Sequence, residues 1–189
     1  MKQDVWMITA TGNEFYPFDP RPDQISLEDI VQKLSRICRY NGGVKWPLHY
    51  SVAEHSVLLA RYALDNHEDP ELAMQMLMHD AAEAYIGDMV RPLKEVMPEF
   101  RDIDHLITEA IFKKFNIPHP MPALVKELDH RILFDEEIQA IAPHTRRFDD
   151  GTGKPLGVTL QFWSAERAYQ EFKGQWFTLR DLILNEEAD

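Results

Sequence analysis

Four side chains in the sequence have the types and settings to hold one cation: His55, the adjacent pair His79 and Asp80, and Asp129. Each falls in a stretch whose apolar spacing predicts a buried helix, and helical bundles build metal sites from side chains on facing helices. Two imidazoles and two carboxylates make a borderline N2O2 donor set. Such a set suits Mn, Fe, Co, Ni or Zn better than Ca or Mg, and it leaves positions open for water and a phosphate oxygen. Neighbours on a regular helix point about 100° apart, so His79 and Asp80 share a cation only by converging from two sides of the helix's inner edge. Glu83 follows His79 by four residues and Asp80 by three, which puts its carboxylate on the same face one turn later. From there it overhangs the cation without ligating it. Asp88 comes after the Gly87 break, at the mouth of that helix and near Arg91 and Lys94. Packing these polar groups against Ala and Met costs free energy unless they share a partner, which weighs against a purely structural role.

The elements that must position them read as follows. Residues 5–20 mix aromatic and β-branched residues around Thr11-Gly12-Asn13 and predict a hairpin or extended arm. Ser26 opens a capping-box-like start to a helix over about 27–40, which Asn41-Gly42-Gly43 ends. Further helices are expected over about 51–66 and from Pro70 to Tyr85, then over 99–116 and 122–142. Residues 144–157 read as an exposed loop, 157–162 as a short strand, and helical stretches start at Ser164 and Thr178. The fold class is therefore all-α, a compact multi-helix bundle with minor β structure. One domain spans 1–189: an N-terminal arm over 1–25, a helical core over 26–142, and a loop with C-terminal helices over 143–189.

Composition narrows the function. The chain has 189 residues, 44% hydrophobic and 28% charged, which is ordinary for a globular protein. Thirty-two acidic against 20 basic residues give a net charge of −12, which disfavours nucleic acid and anionic membranes as partners. A single cysteine, Cys38, excludes an intrachain disulfide and fits a reducing compartment. The first 20 residues lack the long apolar core of a signal peptide or membrane span, so a cytoplasmic location is expected.

The run Ser-Val-Ala-Glu-His55-Ser, then Met-His79-Asp80-Ala-Ala-Glu83-Ala-Tyr-Ile-Gly-Asp88-Met-Val-Arg-Pro-Leu-Lys94, then Lys-Glu-Leu-Asp129, resembles the HD-domain metal-dependent phosphohydrolases. Within that superfamily, residues 34–136 are similar to phage- and prophage-encoded HD proteins related to bacterial 5′-deoxynucleotidases and to a phage dATP triphosphohydrolase. The resemblance implies an HD-domain bundle in which His55, His79, Asp80 and Asp129 hold one divalent transition metal. It assigns acid/base work to Glu83, an assisting role to Asp88, and phosphate contacts to Lys94 and to an arginine ahead of the first His. That arginine is Arg39, with Arg36 as the competing register. Some relatives have Arg-Trp-Pro directly, with the Trp near the sugar, which makes Trp46 a candidate substrate-binding residue; here Lys45 precedes Trp46-Pro47, so Trp46 is separated from the arginine, and the alternative is a loop aromatic that covers the core. The implied activity is hydrolysis of a small-molecule nucleotide, first of all a deoxynucleoside 5′-monophosphate. A deoxynucleoside triphosphate triphosphohydrolase is the alternative, and a non-catalytic ligand-binding module a distant one. Relatives of this type assemble, so a homo-oligomer is a candidate state.

Overall fold

The computed structural model describes residues 5–145 and 153–186. Two short strands, β1 (Met7–Ile8) and β2 (Glu14–Phe15), pair antiparallel with Met7 opposite Phe15. Among the described residues eight α-helices follow: α1 (Leu27–Leu34), α2 (Val52–His67), α3 (Pro70–Met78), α4 (Glu83–Ile86), α5 (Arg91–Val96), α6 (Pro98–Phe115), α7 (Ala123–Gln139) and α8 (Ala165–Glu186). The expectation of a mostly helical chain with an N-terminal hairpin holds.

The hairpin is an anchored element. At its tip the Thr11 amide and hydroxyl donate to Asp29 at 2.7 and 3.0 Å, and Asp29 also takes the hydroxyl of Ser26, the N-cap of α1. Phe15 is fully buried and stacks on Tyr85 of α4 with ring centroids 4.1 Å apart. The arm thereby braces the short helix that carries Glu83.

Helix α1 stops at Leu34 and does not run to 40. The apolar spacing of Ile37 and Cys38 continues the pattern, but their backbone pairs with the segment before α2. Cys38 and Ser51 form an antiparallel bridge, Arg39 N–H donates to Tyr50 O at 2.9 Å, and Val52 N–H donates to Ile37 O at 3.0 Å. Tyr40 and Asn41 then take left-handed conformations, with φ of 57° and 51°, and turn the chain back. This detour aims Arg39 and Tyr40 inward.

Helix α2 is the central element. Ser51 caps it, and every residue from Val52 to Ala60 is buried, because α3 and α8 both pack on it and α7 touches it as well. Its core joins Ile111 and Phe112 of α6, Leu128 and Ile132 of α7 and Phe172 of α8 in one cluster. Helix α8 is a single helix where two stretches are expected from the sequence. Helix α5 is unexpected: it is six residues long, led by Arg91-Pro92, and buries no residue, so no apolar periodicity marks it.

Residues 157–162 form no strand. Their amides are taken instead by side chains of the helices beneath: Leu156 and Gly157 donate to Asp135, Leu160 to Gln139, and Gln161, Phe162 and Trp163 to the buried carboxylate of Glu54. Extended chain satisfied this way needs no ladder partner. The expected loop over 144–157 lies partly outside the described residues. Where it is described, it is mostly exposed.

Glu54 thus stands in for a strand partner along this segment. Glu54→Ala orphans three backbone amides at once and is expected to lower the unfolding free energy by at least about 2 kcal/mol. Urea denaturation measures it, and a change under about 0.5 kcal/mol contradicts the role.

Candidate metal centre

The positions of His79 and Asp80 follow from a break in the helix. His79 Nδ1 lies 2.7 Å from Met76 O, the carbonyl that the amide of residue 80 takes in an uninterrupted α-helix. From there the chain tightens into i to i+3 bonds, Ala81 N–H to Met78 O and Glu83 N–H to Asp80 O, both at 3.0 Å, until α4 begins. The expected helix from Pro70 to Tyr85 is therefore two helices with a turn between them. In that turn the adjacent side chains converge: His79 Nε2 lies 3.2 Å from Asp80 Oδ2.

His55 reaches the same point from the first turn of α2. Its Nε2 is 3.1 Å from Asp129 Oδ1 and 3.7 Å from Asp80 Oδ2, while His79 Nε2 is 3.5 Å from the same Asp129 oxygen. Ligand atoms of His55, His79 and Asp80 all lie within 4.8 Å of one another. Asp129 closes the group from α7, so all four expected ligands are brought together.

Hydrogen bonding on the far side of each ring selects the tautomer. A carbonyl can only accept, so His79 Nδ1 carries the hydrogen donated to Met76 O, and in the neutral ring it is Nε2 whose lone pair faces inward. That Nε2 is buried and has no hydrogen-bond partner. His55 Nδ1 donates to Glu136 Oε1 at 2.7 Å, again leaving Nε2 to face the cluster. A carboxylate behind an imidazole is the arrangement that orients metal-ligating histidines and makes them more basic.

The cluster calls for positive charge. Burial opposes protonation of His79, but Asp80 and Asp129 outweigh it and raise its pKa well above the ordinary value. Burial likewise works against ionised Asp80 and Asp129, yet the two histidines hold both carboxyls below the usual carboxylate range. A divalent ion answers the same demand by displacing protons, and the orphaned Nε2 together with the N2O2 donor set fits a transition metal.

Glu83 stands beside the cluster and is almost wholly buried. Lys94 Nζ donates to its Oε1 at 2.9 Å, and its Oε2 has no partner. Burial, then the charge of Asp80, pushes its pKa well up, with Lys94 opposing. Asp88 is half-buried; burial raises its carboxyl too, while Arg39 pulls it down. Arg39 is buried and aimed at the site, its Nη1 3.5 Å from Asp80 Oδ2 and its Nη2 3.2 Å from Glu136 Oε2. Arg36 is exposed and lines a separate cleft with Glu28, Gln32 and Tyr169.

Three side chains close to the motif residues in sequence, Trp46, Arg91 and His49, do not join. Trp46 is 95% exposed, because its loop docks by backbone and by Lys45, whose Nζ caps the end of α7 at Ile138 O and Gln139 O. Trp46 thus neither covers the core nor contacts the cluster. Arg91 is exposed and pairs with Glu95 at 3.4 Å. His49 turns to Ser35 O.

Glu136 is the residue that sequence reasoning missed. It is fully buried and accepts from Arg39, Tyr40, Tyr50 and His55. Burial works against its charge, but Arg39 and His55 bring its pKa down to about 2. Its signal was the spacing: Asp129 and Glu136 are seven residues apart, two turns along one helix face. Asp104 of α6, half-buried beside Lys94 with its carboxyl raised by burial, carried no such signal.

The fold and the cluster together define a helical protein with a buried His/Asp centre competent to hold a divalent ion. Among known proteins, the chain is 36% identical over 128 residues to the uncharacterized protein YfdR of Escherichia coli (strain K12), covering 68% of this chain and 68% of that protein. It is 32% identical over 126 residues to the uncharacterized protein RCAP_rcc00048 of Rhodobacter capsulatus, covering 64% of this chain and 63% of that protein. No protein-family profile matches the chain. The chain belongs to the YfdR family.

If Asp129 is a ligand and Glu136 a support, their variants separate by magnitude. In titration calorimetry with Mn²⁺ or Co²⁺, Asp129→Ala is expected to abolish measurable uptake, and Glu136→Gln to weaken it about 10- to 100-fold. Full metal binding by Asp129→Ala contradicts the ligand assignment.

Proposed function

We propose that the protein is a divalent-metal-dependent phosphohydrolase of the HD type acting on nucleotides, in the first place a 5′-deoxynucleotidase. The observation that carries this reading is the convergence of four metal-ligand side chains around the unpartnered Nε2 of His79, with a buried carboxyl, Glu83, beside them. His55, His79, Asp80 and Asp129 would hold the ion, which supplies positive charge against a phosphoryl group and makes water more acidic.

The remaining work falls to this chain's own groups. Hydrolysis joins a water oxygen to phosphorus, breaks the bond from phosphorus to the ester oxygen, and moves one proton from the water to the departing alcohol. Glu83 would handle that proton: its free Oε2 is buried beside the cluster, and burial together with the charge of Asp80 raises its pKa, which makes it a stronger base than an exposed carboxylate. Lys94 and Arg39 flank Glu83 and Asp80, and their fixed charges offset the phosphoryl oxygens in a protein whose net charge is −12.

The count of cations favours a monophosphate over a triphosphate. Of four basic residues near the site in sequence, only Arg39 and Lys94 reach the cluster; Lys45 and Arg91 are engaged elsewhere. A triphosphate carries more charge than these two groups match, even with Lys126 at the edge of the site. Among the described residues no helix is long and apolar enough to cross a membrane.

Phosphate release from a panel of nucleoside mono- and triphosphates, with Mn, Co, Ni, Fe or Zn supplied, tests the reading. Monophosphates of deoxynucleosides are expected to be the best substrates, and inactivity on the whole panel contradicts the proposal. Glu83→Gln is expected to retain metal while turnover falls by about two to four orders of magnitude. Loss of metal by that variant makes Glu83 a ligand instead. Lys94→Ala is expected to lower kcat/KM at least about 10-fold with the fold and metal content unchanged; wild-type kinetics removes Lys94 from the mechanism.

A further inference from the structure

A cleft of about 430 Å³ opens at His79 and Asp129 and runs away from the cation site between α6 and the start of α7, past His105, His119, Met121 and Lys126. Its volume falls in the range of small-molecule sites and leaves ample room beyond a phosphoryl group. Beyond His79 and Asp129, none of its lining residues belongs to the metal centre.

Its walls have a definite chemistry. The rings of His105 and His119 lie 5.5 Å apart, and the exposed His119 ring rests nearly perpendicular on the buried ring of Phe112 at 5.7 Å, which backs it on one side. Met121 sits between Pro120 and Pro122, a stretch with restricted φ and few amide donors. Its polarisable side chain suits an aromatic surface. The loop itself is tied down where Gln75 of α3 donates to Pro118 O at 2.9 Å. Lys126 precedes Asp129 by three residues, one turn back on α7, and places an ammonium at the rim of the cleft. Flat imidazole faces, a thioether and a donor-only cation match a planar heterocycle that bears ring-nitrogen or carbonyl acceptors.

We infer that this cleft receives the heterocyclic base of the substrate, stacked on His119, while the phosphate lies at the His55, His79, Asp80 and Asp129 cluster. The inference rests on the phosphohydrolase reading and extends it from the phosphate to the leaving group. His119 is then a binding residue for the nucleoside and no part of the metal centre.

The test uses binding, which does not require turnover. Thymidine and 2′-deoxyadenosine, with 2-deoxyribose as the base-free probe, are titrated into the Mn- or Co-loaded protein by calorimetry, alongside His119→Ala and His119→Phe. Deoxynucleosides are expected to bind and 2-deoxyribose not to. His119→Ala is expected to weaken deoxynucleoside binding about 10-fold or more, and His119→Phe, which keeps a flat face, to restore it to within about threefold. Metal affinity should be the same in all three proteins. Equal binding of deoxyribose and deoxynucleosides, or wild-type deoxynucleoside affinity in His119→Ala, overturns the inference. His119-dependent deoxynucleoside binding by a protein that releases no phosphate from any nucleotide supports the cleft and contradicts the phosphohydrolase reading.

Discussion

A single buried carboxylate, Glu136, ties the site to the fold. Its side chain has no exposure to solvent, and an unpaired charge there is prohibitively costly. Four donors from three separate segments meet it: Arg39 and Tyr40 from the turn after α1, Tyr50 from the segment before α2, and His55 from α2 itself. Each of these bonds fixes something else. The turn with left-handed Tyr40 and Asn41 exists to bring two of the donors inward, and the Cys38 to Ser51 bridge holds that turn against the start of α2. The bond to His55 decides which ring nitrogen faces the cluster. Removing one partner leaves a buried charge with fewer donors, so the network is strongly interdependent.

The second constraint is the interruption between α3 and α4. A continuous helix would splay His79 and Asp80 about 100° apart. The bond from His79 Nδ1 to Met76 O serves two ends at once: it claims the carbonyl that helix continuation needs, and it leaves Nε2 facing Asp80 and Asp129. The same turn starts α4 and so sets Glu83 beside Asp80. The N-terminal hairpin secures that short helix from outside through Phe15 on Tyr85. Local geometry, ligand orientation and placement of the acid/base candidate thus come from one distortion.

Much of this was legible in the sequence. Helices α2, α6, α7 and most of α8 announce themselves by apolar spacing and end signals, and the four ligand candidates stood out because polar groups interrupted those apolar faces. What escaped had physical reasons. The apolar pattern of α1 runs on through Ile37 and Cys38, but tertiary pairing with residues 50–52 claims their backbone. The break at His79 depends on a side-chain bond that no periodicity records. Residues 157–162 have strand composition, yet their amides are met by Glu54 and Asp135, residues distant in sequence. Trp46, expected near substrate or core, stands in water because its loop is held through Lys45. Glu136 was visible only as an acidic residue two turns from Asp129, a spacing that gains meaning once Asp129 is known to face inward.

The central claim is that His55, His79, Asp80 and Asp129 form one coordination sphere. Crystals soaked with Mn²⁺ and measured at the manganese absorption edge test it directly. The account predicts one dominant anomalous peak at coordination distance from Nε2 of His55, Nε2 of His79 and carboxylate oxygens of Asp80 and Asp129. No peak there at millimolar metal, or a dominant peak elsewhere on the molecule, would contradict it.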